Sequence, residues 1–366
     1  MPKFTHHSFS FSQNAWRRLK KNKGAMVGLV IIFIAILNGI FAYFIANDTT
    51  PNADRQIVEI QAKKPGYKQL FIKVKKEKSI PNTNFFQRLL YGKEDPFNLI
   101  PINTYQGKGD SIIVQKFIDD GVEDRISIPK SKLFSENYIV SKTFWLGTDR
   151  FGRDILSRLI AGVRVSLAVG LITVLISLTI GVILGSLAGY FRGKTDNIIM
   201  WLINVIWSIP TLLLVFGITL ALGKGFWQIF IAVGLTMWVS VARLIRGQVI
   251  ALREMEYIQA AKALGINDMR IIVRHILPNV LGPVIVIAAS NFATAIIVEA
   301  GLSFLGVGVQ PPQPSWGLMI KENYNFIITH NPMLALAPGF AIMILVLAFN
   351  LLGNGLRDAL DVKGKV

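Results

Sequence analysis

The chain of 366 residues contains no cysteine. Disulfides, thiolate metal sites and a cysteine nucleophile are thereby excluded, and any segment outside a membrane must fold without covalent staples. Histidine is nearly as scarce: His6, His7, His275 and His330 are scattered over termini and loops, with neither a triad nor a metal-ligand spacing. No catalytic residues, cofactor or metal are expected. Charge is also missing from long stretches. Residues 24–46, 165–191, 197–223, 225–242, 276–298 and 333–352 hold no Lys, Arg, Asp or Glu. Each is long enough to cross roughly 30 Å of hydrocarbon at about 1.5 Å of rise per residue.

What is present fits those absences. With 52% hydrophobic residues and a mean hydropathy of +0.48, the chain is too apolar for a soluble domain of its size. A helix satisfies its own backbone hydrogen bonds in lipid, so the reading is an all-α membrane protein with six transmembrane helices. The run from Gly24 to Ala46 is too long for a signal-peptide core and is expected to stay as an anchor.

Charge sets the orientation. Basic residues gather before Gly24, at Arg192 and Lys194, through residues 243–279 and at Arg357, Lys363 and Lys365, whereas the short loops of opposite sidedness hold only Lys224 and Lys321. The positive-inside rule places both termini and the 243–279 loop in the cytoplasm. The net charge of +17 is thus largely topological, and nucleic-acid binding is a poor reading. Membrane lipid is the expected surrounding. The organisation that follows is a cytoplasmic segment 1–23, a first span 24–46 and an extracytoplasmic insertion 47–140. An interfacial segment 141–164, a five-helix core 165–352 and a cytoplasmic tail 353–366 complete it.

In the insertion, strand-like runs at 73–78 and 111–114 are broken by Pro51, Pro65, Pro81, Pro96, Pro101 and Pro129. A small β-rich module and an extended loop capping a neighbouring subunit are both compatible with that pattern. After Trp145, the sequence Leu146-Gly147-Thr148-Asp149-Arg150-Phe151-Gly152-Arg153-Asp154 leads into a stretch with Ile155, Leu159 and Gly162 at helical spacing. It is expected to form an amphipathic helix at the membrane surface. Gly181, Gly185 and Gly189 recur at i+4, a stripe that lets helix backbones approach. Pro210, Pro283 and Pro338 fall within spans and predict kinks. Gly193-Lys194-Thr195 lacks the preceding Gly and strand of a phosphate-binding loop, so it is not read as a nucleotide site.

The 243–279 loop is polar and Ala-rich. Met255, Ile258, Ala261 and Leu264 form an apolar stripe on a short helix, while Arg253, Glu256, Gln259 and Lys262 point elsewhere. Gly265 is placed to end that helix in a left-handed conformation, and Asn267 or Asp268 to cap a second helix through Met269, Ile272 and Ile276 to Pro278. Periodicity alone leaves two uses open, covering the chain's own spans or docking a partner.

The spacing decides for docking. Gln259-Ala260-Ala261, three residues, Gly265, nine residues, and His275-Ile276-Leu277-Pro278 resemble the "EAA" loop of the membrane subunits of ATP-binding-cassette (ABC) importers. Asn14-Ala15-Trp16-Arg17-Arg18, Gly147 to Asp154, Leu302-Ser303-Phe304-Leu305-Gly306, Pro314-Ser315-Trp316-Gly317 and Asn350 to Asp361 are similar to the permeases of the dipeptide, oligopeptide and nickel group. Gln259 and His275 replace the Glu and Ile of the general pattern, and the insertion is longer than expected of the group.

The resemblance implies the type I importer permease fold in a bacterial plasma (inner) membrane. It also implies a second homologous permease, two cytoplasmic ATPases and an extracytoplasmic substrate-binding protein, with peptide as cargo, or nickel or another small solute as the alternative. The ATPase-coupling residues would be Glu256, Tyr257, Ile258, Gln259, Ala260, Ala261, Lys262, Leu264, Gly265, Asp268, Arg270 and Pro278, so that Ala261→Arg or Gly265→Asp should uncouple without affecting membrane insertion. Asn204, Ser290, Asn291 and Thr294 are candidates to line the pathway, although bonding between helices is the commoner use of such residues. An ion-coupled secondary transporter is the rival reading. Its sole candidate relay, Glu299, lies 20 residues past Asn279, about 30 Å along a helix and near the outer surface.

Overall fold

The computed structural model describes residues 11–77, 80, 82–134, 137–223, 225–328 and 331–360, without the side chains of Phe11 and Ser12. His6, His7, Lys78, Pro81, Lys224, His330 and the tail from Asp361 lie outside the described residues. The helices are α1 (Phe11–Lys21), α2 (Lys23–Ile40), α3 (Ala42–Ile45), α4 (Phe85–Tyr91), α5 (Ile155–Phe191), α6 (Gly193–Trp207), α7 (Thr211–Leu222), α8 (Phe226–Arg253), α9 (Glu256–Ala263), α10 (Asp268–Ile271), α11 (Leu277–Leu305), α12 (Trp316–Asn323) and α13 (Met333–Leu360). The strands are β1 (Tyr67–Lys75), β2 (Phe97–Lys108), β3 (Ser111–Asp119), β4 (Val122–Pro129) and β5 (Ile139–Phe144). Two compact units divide the chain, one of residues 1–34, 168–302 and 343–366, the other of residues 35–167 and 303–342.

Among the described residues, five helical stretches are long and apolar enough to span a membrane: Lys23–Ile40, Ile155–Phe191, Phe226–Arg253, Asp268–Leu305 and Met333–Leu360. The expected straight span over 197–223 is instead the pair α6 and α7, bent by 91°, which makes six if the pair is one span. Pro210 is the cause, because it lacks a backbone N–H and disfavours helical geometry at Ile209. In the first unit the glycine stripe of α5 lies on α8. A Cβ at Gly181 would stand 2.5 Å from Val241 Cβ, and one at Gly185 2.5 Å from the carbonyl oxygen of Ala242. That is backbone-to-backbone proximity which no larger residue permits.

In the second unit the insertion is a five-stranded antiparallel sheet in the order β4-β3-β2-β1-β5. The inner strand β1, between β2 and β5, is buried on both faces. Phe71 joins Ile57, Ile60, Phe117 and Phe144 on one side, and Ile72 joins Ile102, Ile112, Val114 and Ile128 on the other, as the two-residue period of a strand requires. The sheet runs to Phe144, past the limit at 140 drawn from composition.

Residues 141–164 do not form a separate surface helix. Their helical part is the start of the 37-residue α5, with Ile155, Ser157, Arg158 and Ala161 buried. The reason is ionic. The Arg153 guanidinium donates to Asp149 (2.6 Å), Asp54 (2.9 Å) and Glu322 (2.6 Å), and Arg158 donates to Asp54 (3.2 Å). Burial works against the charge on Arg153, but Asp149 and Glu322 hold its pKa above the ordinary arginine value. Gly152, at φ +73°, brings this turn so close to residues 57–60 that a Cβ would overlap the carbonyl oxygen of Ile57.

Candidate functional site

The segment after α8 is built from local rules. Helix α9 ends on Gly265 at φ +76°. The Gly265 N–H donates to Lys262 O (3.0 Å) and the Ile266 N–H to Ala261 O (3.2 Å), the paired bonds of a Schellman turn. Asn267 then caps α10 by accepting from the Met269 N–H at 2.9 Å. The second helix does not stop at Pro278 as the sequence suggests. A wider π-type turn at Ile272–Ile276 passes into α11, and Asn279 Nδ2 donates to the His275 carbonyl at 2.6 Å. Widened turns and side-chain donors of this kind let a helix continue through proline.

The apolar stripe of α9 divides. Ile258 and Ala261 are 2% and 6% exposed and belong to a core with Tyr190, Val241, Ile245, Val249, Ile271, Ile272, Ile276 and Val280. Burial of Ile258 contributes roughly 2 kcal/mol. These two residues are therefore covered by their own chain and present no surface to a partner. Ala261→Arg would force a cation into this core, so it would damage folding rather than docking alone.

The opposite outcome holds for the tip. Leu264 is 81% exposed, and Glu256, Tyr257, Gln259, Ala260, Lys262, Gly265, Arg270 and Pro278 are exposed or half-buried with it. Asp268 is exposed or half-buried at the same bend and accepts from the Tyr190 hydroxyl at 2.6 Å. Gln259 Nε2 donates to the Arg253 carbonyl at 3.2 Å, a bond that an ionised Glu cannot make because it has no donor. Gln259 thus closes the junction of α8 and α9. Beneath the tip, Arg246 forms a two-pronged pair with Asp196 (2.5 and 2.6 Å) and Arg192 pairs with Glu254 at 2.6 Å. A rigid bend carries an exposed leucine, a methyl-only position at Ala260 and charges of both signs.

Of the four pathway candidates, Asn204 stands on α6 and Ser290, Asn291 and Thr294 on α11. Asn204 on α6 accepts from Arg243 at 3.2 Å, and Arg243 lies 3.7 Å over the Trp207 ring, so Asn204 serves helix bonding. On α11, Thr294 donates to the Ser290 carbonyl at 3.1 Å. Asn291 is buried, its Nδ2 without a hydrogen-bond partner. Ser290 lines a cavity of about 580 Å³ with Gln248, Pro283, Val286 and Arg357. The sequence reading took Arg357 only as an orienting charge and passed over Gln248, because neither stands inside an uncharged run.

The comparisons agree with this architecture. Residues 181–364 match the family of binding-protein-dependent transport system inner membrane components, and residues 10–65 match the N-terminal TM domain of oligopeptide transport permease C. The dipeptide transport system permease protein DppC of Bacillus subtilis is 32% identical over 356 residues, 97% of this chain and 87% of that protein. The glutathione transport system permease protein GsiD of Pectobacterium atrosepticum is 44% identical over 225 residues, 62% of this chain and 74% of that protein. DppC of Alkalihalophilus pseudofirmus is 45% identical over 225 residues, again 62% and 74%. Long apolar helices, a capped bend between α8 and α11, and these matches over both ends of the chain have one common account: it belongs to the binding-protein-dependent inner membrane components, as a multi-pass permease subunit of an ABC importer.

Proposed function

We propose that this permease imports short peptides, and that the bend at Ala260, Leu264 and Gly265 receives force from a cytoplasmic ATPase. The observation that carries the reading is Leu264, a large apolar side chain 81% exposed at the apex of a hydrogen-bonded turn. An apolar side chain held rigidly in water suits insertion into a partner's groove. Tyr257, Gln259, Ala260, Lys262, Arg270 and Pro278 would rim that groove. Ile258, Ala261 and Asp268 hold the bend to its own helices.

A second, similar permease would complete the pathway, two ATPases would grip the two bends, and an extracytoplasmic binding protein would deliver cargo. Both termini would lie in the cytoplasm. ATP-driven closure of the ATPases would shift the permeases between inward-open and outward-open states, a population shift powered by differential nucleotide binding. Peptide cargo is supported by relatives named for dipeptides and glutathione.

The test uses Ala260→Arg and Leu264→Glu, two exposed positions where folding is indifferent to the change. Expected are normal amounts in the membrane, an unchanged melting temperature, loss of co-purifying ATPase and loss of ATP-dependent uptake of a labelled dipeptide. Full uptake in both variants overturns the docking assignment. Intact ATP-dependent uptake of another solute, with no peptide uptake by the parent protein, overturns the cargo assignment alone.

A further inference from the structure

We infer that α4 is a membrane-interface anchor, its aromatic face set in the lipid boundary where the first span ends. The helix has no buried residue, yet it is mostly apolar. Phe86 is 73% exposed and Tyr91 69%, and Phe85 and Leu90 are exposed beside them. It does not need a core to form, because Asn84 and Gln87 close a capping box at its start. Seven residues offering this much ring surface to solvent are unusual in a folded module, and such patches mark a contact surface.

The position of the patch selects the occupant. Phe85 lies 5.5 Å from Phe44 of α3, and the Arg88 guanidinium sits 4.5 Å over the same ring. At the other end of α4, the Lys93 N–H donates to Thr49 O at 2.9 Å. The helix is therefore fastened at both ends to the segment that directly continues α2. Phe44 and Ile45 are themselves exposed, as are Leu37, Ile40 and Phe41 in and just after the span. The apolar surface is thus continuous from the lipid-facing side of α2 to Phe86 and Tyr91. Aromatic rings with a cation beside them are the composition of the hydrocarbon–headgroup boundary, where rings enter the acyl region and Arg or Lys reaches the phosphates. Lipid is the occupant that this continuity specifies, and a covering protein chain is the competing outcome.

The absence of cysteine in the chain permits a direct test. Phe86→Cys and Tyr91→Cys are each nitroxide-labelled in the full chain, in phosphatidylethanolamine and phosphatidylglycerol vesicles, with and without its transporter partners. Leu37→Cys supplies the lipid reference and Lys108→Cys, exposed on β2, the water reference. The expected result is an oxygen-to-nickel-chelate collision ratio close to that of Leu37→Cys and well above that of Lys108→Cys. A ratio matching Lys108→Cys overturns the anchor, since the face is then in water. Shielding from both reagents overturns it too, since a protein then covers the face. Neither labelled position is buried, so the sheet should fold in every variant, and unchanged near-ultraviolet circular dichroism checks this.

Discussion

Gly265 shows how much one backbone angle can carry. No atom lies within 4 Å of where its Cβ would be, so a substitution there is opposed by the positive φ and by nothing else. Gly265→Ala should weaken the Schellman turn by about 1 kcal/mol, because an L-residue in the left-handed region is disfavoured by that order. Hydrogen exchange at the Ile266 amide should then speed up about fivefold. Gly265→Asn should sit between, since Asn tolerates this conformation better than Ala. Exchange in Gly265→Ala as slow as in the parent would show that the turn is held by its surroundings instead. Ala260 and Ala261 make the complementary point. They are adjacent and chemically identical, and nothing in the local sequence states that one faces solvent while the other fills a core. The spacing from Gln259 to Pro278 was legible, but the burial of Ala261 rests on tertiary contact, with Ile245 and Val249 supplied from another helix.

The crossing of α5 on α8 was readable as a glycine stripe, because an i+4 repeat of small residues in apolar helices marks close packing. Which helix it meets was not readable. Gly185→Leu should separate the pair, since even a Cβ would lie 2.5 Å from Ala242 O and 2.9 Å from Ile245 Cβ. The expected outcome is a loss of several kcal/mol, typical of severe overpacking, seen as a large fall in melting temperature and in folded yield. Gly247→Ala on α8, with no atom within 4 Å of its Cβ position, should be silent or slightly stabilising. Equal behaviour of the two variants would refute the crossing. The bend at Pro210 and the passage through Pro278 carry the same lesson. Proline predicts a disturbance, while its size is set by the turns and side-chain donors around it.

Across the molecule, the ionic group around Arg153 ties together three segments remote in sequence: Asp54 before the sheet, Asp149 before α5 and Glu322 in α12. Arg153→Met would take the nearer cation from these carboxylates, two of them almost fully buried (side chains 0% and 5% exposed for Asp149 and Glu322), and leave them Arg158, at 3.2 Å from Asp54, 4.0 Å from Asp149 and 3.6 Å from Glu322. Breaking a buried pair from one side costs about 3–5 kcal/mol. Arg150→Met, whose side chain is half exposed at 4.0 Å from Glu322, should cost about 0.5 kcal/mol or less. Thermal unfolding of the two variants in the same detergent checks the contrast, and similar midpoints would contradict it.

Residue order alone was enough to place the chain in lipid and to locate the bend, because hydrophobic length and capping chemistry act over a few residues. Long-range contact was needed to show that 141–164 turns inward as an ionic clasp, that 197–223 breaks, and that half of the α9 stripe is covered. Burial and charge pairing depend on groups far apart in the chain, as Asp54 and Glu322 are from each other, and folding is what brings such groups within a few ångströms.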